Sequence, residues 1–198
     1  MLIDKLHVAP DQAVLSPDHV VPVWHRFSLR HRPLPFAPRE PRKRDVVHAR
    51  REQPKRVAAF DTVLFLHAPE KSGLERYRAG RVRAIFALPS HLQDVSARRF
   101  VYLELFAPFT HTVSPFHRMY TTSHSIRTNQ KRMTTIIPIS DIVLACHLAP
   151  NFTNVPLTSD APPSFDPLTT FSRFLYNPYY NYYAHKLSEH WRRAQVRQ

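Results

Sequence analysis

Histidines and carboxylates are the side chains that most often hold a metal or move a proton, and this chain has 13 of the former and 15 of the latter. Their spacing assembles no site. His25 and His31, His111 and His117, and His185 and His190 stand five or six positions apart. Two zinc ligands on one helical face need an i, i+4 separation, with a Glu between them in the hydrolytic form. Histidines spaced as these are read as ordinary core or surface residues. Cys146 and His147 are adjacent, and strand alternation turns neighbours to opposite faces, which separates a thiol from the base that would activate it. A metal-dependent nuclease gathers several acids around one or two ions. Asp61, Glu104 and Asp141 are the candidates, but nothing in their spacing joins them, and Asp61 and Asp141 serve equally as turn and cap residues. Gly73 and Gly80 are the only glycines, too few for a P-loop or a dinucleotide fingerprint. No catalytic residue, metal ligand or cofactor is expected.

The cations carry a stronger signal. Lysine and arginine number 28 against 15 acids, a formal charge of +13, and such an excess attracts polyanions by field steering and counterion release. Arg39, Arg42, Lys43, Arg44, Arg50, Arg51, Lys55 and Arg56 form one run, suited to tracking phosphates without reading bases. The plainer alternative is a solvated loop that touches nothing. Arg81 and Arg83 on one strand, with Arg98 and Arg99 opening the next, are expected to share an edge if those strands are neighbours. Tyr77, Tyr102 and Tyr120 are candidates for base stacking beside such cations, although core packing is the commoner fate of a tyrosine. Nucleic acid, with DNA as the expected form, is the first partner implied. A protein or peptide bound in an aromatic pocket, as in chromatin readers, is the alternative. Arg42, Lys43 and Arg44 also fit a nuclear address. No membrane segment and no signal peptide are read in the chain, and the single Cys146 suits an intracellular compartment.

The elements that must position these groups are short, because 19 prolines punctuate the chain and proline interrupts both helices and sheet ladders. Residues 1–19 read as an irregular lead-in. Residues 20–29 alternate as a strand, with Val23, His25, Phe27 and Leu29 on one face and Trp24, Arg26 and Ser28 on the other. Residues 30–58 lose this periodicity and read as a long basic, proline-rich loop. Strands are expected at 60–67, 81–88 and 98–106, and again at 133–138, with a weaker one at 116–125. The strand at 98–106 is apolar on both faces and so belongs inside the sheet. Ser140–Leu148 suits a helical turn, a strand, or one after the other. Asp166-Pro167 reads as a helix start leading into one or two turns through Leu175. Residues 179–198 suit a terminal helix. The tyrosine-rich stretch from Tyr176 to Tyr183 is expected to clamp back on the core, with an interface to another chain as the alternative.

The segments VPVWHRFSL, DVVHARRE, FDTVLF, YRAGRVRAIFALP, FVYLELFAPF, HRMYTTSHS, IIPISDIVLACHLAPNF and FSRFLYNPYYNYYAH follow one another between residues 21 and 185. Their order and spacing resemble the C-terminal region of fungal DNA-transposon proteins of the Kyakuja–Dileera–Zisupton and Plavaka type. That resemblance implies an accessory domain and not an active transposase, because none of these segments corresponds to the acidic, metal-binding core of the family. The fold expected is mainly β: a small barrel or strongly bent antiparallel sheet spanning 20–178, with a basic loop at about 30–58 and a helical tail at 179–198.

Overall fold

A computed structural model describes residues 19–31, 33–34, 36, 43–54, 56–89, 92, 98–152 and 165–196. Its organising element is β6 (Tyr77–Ala87), an eleven-residue strand long enough to pair with two strands on one side. Along its first half it pairs with β5 (Thr62–Leu66), from Leu66↔Tyr77 to Thr62↔Arg81. Along its second half it pairs with the short β1 (Val23–Trp24). On the other side lies β7 (Arg99–Leu105), followed by β9 (Thr134–Pro138). With β10 (Ile142–Cys146) beside β5, the antiparallel order is β10-β5-β6-β7-β9. This sheet is open, and no described pairing joins its edges into a barrel.

Two three-stranded sheets complete the architecture. One is β2 (Arg26–Arg30), β3 (Arg44–Arg50) and β4 (Ala59–Phe60); the other is β8 (Thr121–Ser123), β11 (Leu148–Pro150) and β12 (Arg173–Tyr176). Alternation along β5 shows how the layers stack. Val63 packs with Val47, Val82, Val101 and Leu103, beneath the β2-β3-β4 sheet. Its neighbour Leu64 points the other way, into a core with Phe106, Phe174, Tyr176 and Trp191. Both faces of the main sheet are thus covered, which explains why its strands are apolar on both sides. Gly80 of β6 lies against the Leu103 side chain of β7, and a Cβ there would lie 3.0 Å from Leu103 Cδ1.

Helix α1 (Pro167–Thr170) begins as expected, with the Asp166 side chain accepting from the Leu168 N–H and proline at the first position. Helix α2 (Tyr182–Val196) buries Ala184, Ser188 and Trp191, spaced as one helical face. Trp191 packs against Tyr77 with the rings tilted and their centroids 4.7 Å apart, and the Tyr176 hydroxyl meets Ser188 at 3.3 Å. The Tyr180 hydroxyl donates to the Ala145 carbonyl. The aromatic ending is therefore clamped to the core at Tyr176 and Tyr180, while Tyr179 and Tyr182 stay exposed. Among the described residues no helix is long and apolar enough to cross a membrane.

Three local expectations are corrected. The loop expected at 30–58 contains β3, held to β2 in register from Arg26↔His48 to Arg30↔Arg44. The strand at 20–29 breaks at His25, and the break changes its phase. Trp24, Phe27 and Leu29 all pack on one core, and Val23 is exposed. Beyond Thr170 the chain does not continue as helix to Leu175, because Phe174 and Tyr176 enter the core from β12.

Candidate nucleic-acid interface

Antiparallel pairing decides which cations meet. Arg81 lies opposite Glu104 while Arg99 lies opposite Ala87, so these two arginines sit near opposite ends of the β6–β7 pair, about 20 Å apart at the usual strand rise. The expected shared edge of Arg81, Arg83, Arg98 and Arg99 is not formed. Arg98 and Arg99 are exposed at one end, with Arg99 over the Trp24 ring at 4.7 Å. Arg81 and Arg83 lie at the other end, over the Phe60 ring at 5.5 and 4.1 Å.

Arg81 and Arg83 are also neutralised from within. Arg81 is only 5% exposed. It pairs with Asp166 at 2.7 Å and donates to the Thr169 hydroxyl and the Phe60 carbonyl. Burial alone would raise the Asp166 carboxyl, but hydrogen bonds from Thr169 and Arg81, with the Arg81 charge, hold it below the ordinary carboxylate range. Arg83 pairs with Glu104 at 3.4 Å, and Arg132 reaches the other oxygen of the same carboxylate at 3.2 Å. These cations tie α1 and the segment around Arg132 to the main sheet.

The basic run divides in the same way. Arg39, Arg42 and Lys55 lie outside the described residues. Lys43 pairs with the buried Asp45 at 3.2 Å and lies over the Tyr180 ring. Asp45 also meets the buried His31 at 2.9 Å. Arg44 is exposed and donates to the Ser28 hydroxyl. Arg50 donates to the Val57 carbonyl, and its Nε is buried without a hydrogen-bond partner. Arg51 and Arg56 are exposed near the tip of the β3–β4 hairpin.

What the fold brings together is the outer face of the β2–β3 ribbon. Asp45, Val47 and Ala49 of β3 point inward, so Arg44, Val46, His48 and Arg50 point outward. On β2, Phe27 and Leu29 pack on the core, leaving Arg26, Ser28 and Arg30 outside. The cross-strand pairs Arg26↔His48, Ser28↔Val46 and Arg30↔Arg44 then form one strip. None of its outward residues is a carboxylate, and among the described residues the acid reaching it is Asp61, which holds the His48 ring at 2.8 Å. Among the described residues Arg26 forms no ion pair, and Arg30 lies opposite another arginine. Neither was among the site residues expected from the sequence, which counted Arg30 only as the start of a loop. The signal was their alternation with Phe27 and Leu29, continued across the supposed loop by Arg44, His48 and Arg50.

The groups considered for catalysis are dispersed. Asp61 is bonded to the His48 backbone and ring, Glu104 lies between two arginines, and Asp141 accepts from Ser140. Among the described residues no three metal-ligating side chains converge. Cys146 is buried and His147 exposed, on opposite faces as alternation requires. Burial pushes the Cys146 thiol up to about 12, with a hydrogen bond from Thr62 opposing the shift. Of the stacking candidates, Tyr120 is in the core and Tyr77 is packed on Trp191. A cleft of about 770 Å³ opens beside Phe60, Asp61, Arg81, Phe165 and Asp166. No family model, curated protein or solved structure matches this chain.

Proposed function

We propose that the protein is a non-catalytic nucleic-acid-binding module, the accessory part of a nuclear protein of the transposon type that its sequence resembles. The outer face of the β2–β3 ribbon carries this reading: Arg26, Arg30, Arg44 and Arg50 share it with no outward carboxylate. Exposed arginines on a rigid strip can neutralise successive phosphates without reading bases. Arg51 and Arg56 extend the same charge around the hairpin tip. Arg81 serves instead as a strut inside the fold, and the partly exposed Arg83 is held by Glu104.

The alternative, peptide recognition in the cleft, is less favoured by the residues there. An aromatic pocket for a basic side chain needs an open ring, and the Phe60 face already carries Arg83 at 4.1 Å. The test is to replace Arg26, Arg30 and Arg44 together by glutamine and to measure binding of a fluorescent DNA by anisotropy over a salt series. Loss of affinity together with a shallower salt dependence is expected. An unchanged affinity in a variant of normal thermal stability rejects the proposal.

A further inference from the structure

The side chains on the ribbon narrow the ligand within the proposed nucleic-acid function, on which this inference rests. Proteins that hold single strands place aromatic rings beside their cations, so that successive bases stack. The outward positions here are Arg26, Ser28, Arg30, Arg44, Val46 and His48, with Arg50 beyond. The single ring among them, His48, is held by Asp61 at 2.8 Å. The strip offers charge without a stacking platform.

Its dimensions suit a groove. Over Arg26–Arg30 and Arg44–His48 the element is a two-stranded ribbon, because β4 joins β3 only at Ala49 and Arg50. A two-stranded ribbon is one of the two shapes that the B-form major groove admits. Along β2, Arg26 and Arg30 are four residues apart, about 13 Å at the usual strand rise; the major groove is about 12 Å wide. Small Ser28 lies opposite Val46 between them, where the groove floor would come. Arg26 and Arg30 therefore stand at the two ends of the strip, over the two phosphate backbones, while the Arg44 guanidinium turns toward the middle and donates to the Ser28 hydroxyl at 3.0 Å. At one end Arg30 is directly opposite Arg44. Like charges so placed repel in the free protein, and a phosphate between them removes that repulsion.

We infer that the ribbon docks across the major groove of B-form duplex DNA. The major groove of A-form RNA is too deep and narrow to accept it.

The test uses the whole chain with three labelled probes of equal length: a DNA duplex, one of its single strands, and an RNA duplex of the same sequence. The duplex DNA is expected to bind about tenfold more tightly than either of the others at about 0.1 M salt, with the steeper salt dependence of a duplex. Val46→Glu puts a carboxylate at the centre of the strip, at an exposed position that leaves every arginine in place, and is expected to abolish that preference. Equal or tighter binding of the single strand or of the RNA duplex overturns the inference while leaving nucleic-acid binding intact. Preferential duplex binding that survives Val46→Glu also overturns it. Failure of all three probes to bind overturns the broader function as well.

Discussion

Replacing Asp166 by asparagine isolates one charge in the interior network. Asparagine has nearly the same shape and still caps α1 through its side-chain oxygen, so what is lost is the anion that faces Arg81 at 2.7 Å. The Arg81 side chain is 6% exposed and keeps only the Thr169 hydroxyl and the Phe60 carbonyl as acceptors, at 3.2 and 3.3 Å. Stranding a fully buried charge costs about 3–5 kcal/mol, whereas an exposed pair contributes less than about 1 kcal/mol. The Asp166 side chain is 38% exposed, which places this pair between the limits, near about 2 kcal/mol. For a chain of this size that corresponds to a melting temperature lower by about 4–8 °C. Arg81→Met removes the buried charge itself, fills similar volume and leaves Asp166, whose side chain is 38% exposed, to solvent, so a smaller loss is expected, about 1 kcal/mol. Thermal unfolding followed by circular dichroism measures both. DNA affinity at a temperature where both variants are folded is expected to match the parent protein. A melting temperature for Asp166→Asn within about 1 °C of the parent refutes the account of Arg81 as an interior strut. An affinity loss in Arg81→Met as large as that caused by removing Arg30 refutes it too.

Two further outcomes follow from buried groups. The Cys146 thiol, pushed up to about 12 by burial, is expected to resist iodoacetamide at pH 8 in the folded protein and to react once denaturant exposes it. Equal labelling rates in the two states contradict its placement. For Asp45, burial would raise the carboxyl, but hydrogen bonds from His31 and Lys43 and their charges outweigh burial and hold it below its ordinary value. A carboxyl lowered in the folded state contributes stability above its unfolded pKa, near about 4, and loses it as pH falls through the lower folded value. The melting temperature is therefore expected to drop below about pH 4, and Asp45→Asn to make that drop shallower. A steeper acid limb in the variant contradicts the assignment.

Strands whose apolar residues announce both a face and an end could be read from sequence. The segments that became β5, β7 and β9 did so, and prolines stop the latter two closely. The Asp166-Pro167 start of α1 was legible because capping is local chemistry. Strand β3 was not, because only Val47 and Ala49 of its inward residues are apolar. The third, Asp45, is buried through His31 and Lys43, and an ion-paired carboxylate looks like surface in a sequence. Strand β12 needed β8 and β11 on either side to become a strand, and both pair with it across long sequence separations. The proposed binding face was hidden for the same reason. Arg26 and Arg30 join Arg44 only through the register of β2 with β3. The burial of Arg81 depends on Thr169, 88 positions downstream, and on the neighbouring Asp166. Local spacing gives the number of cations but not which of them an acid from elsewhere will claim.

The most direct measurement of the central claim is the dependence of DNA affinity on salt. Counting Arg26, Arg30, Arg44 and Arg50 of that face as phosphate contacts, the logarithm of affinity is expected to fall against the logarithm of salt with a slope of about −3.6. Between 50 and 200 mM that is a loss of about 150-fold, and the triple glutamine variant is expected to keep a slope of only about −0.9. A slope near zero, or the same steep slope after Arg26, Arg30 and Arg44 have been neutralised, would show that the β2–β3 face does not hold the phosphates.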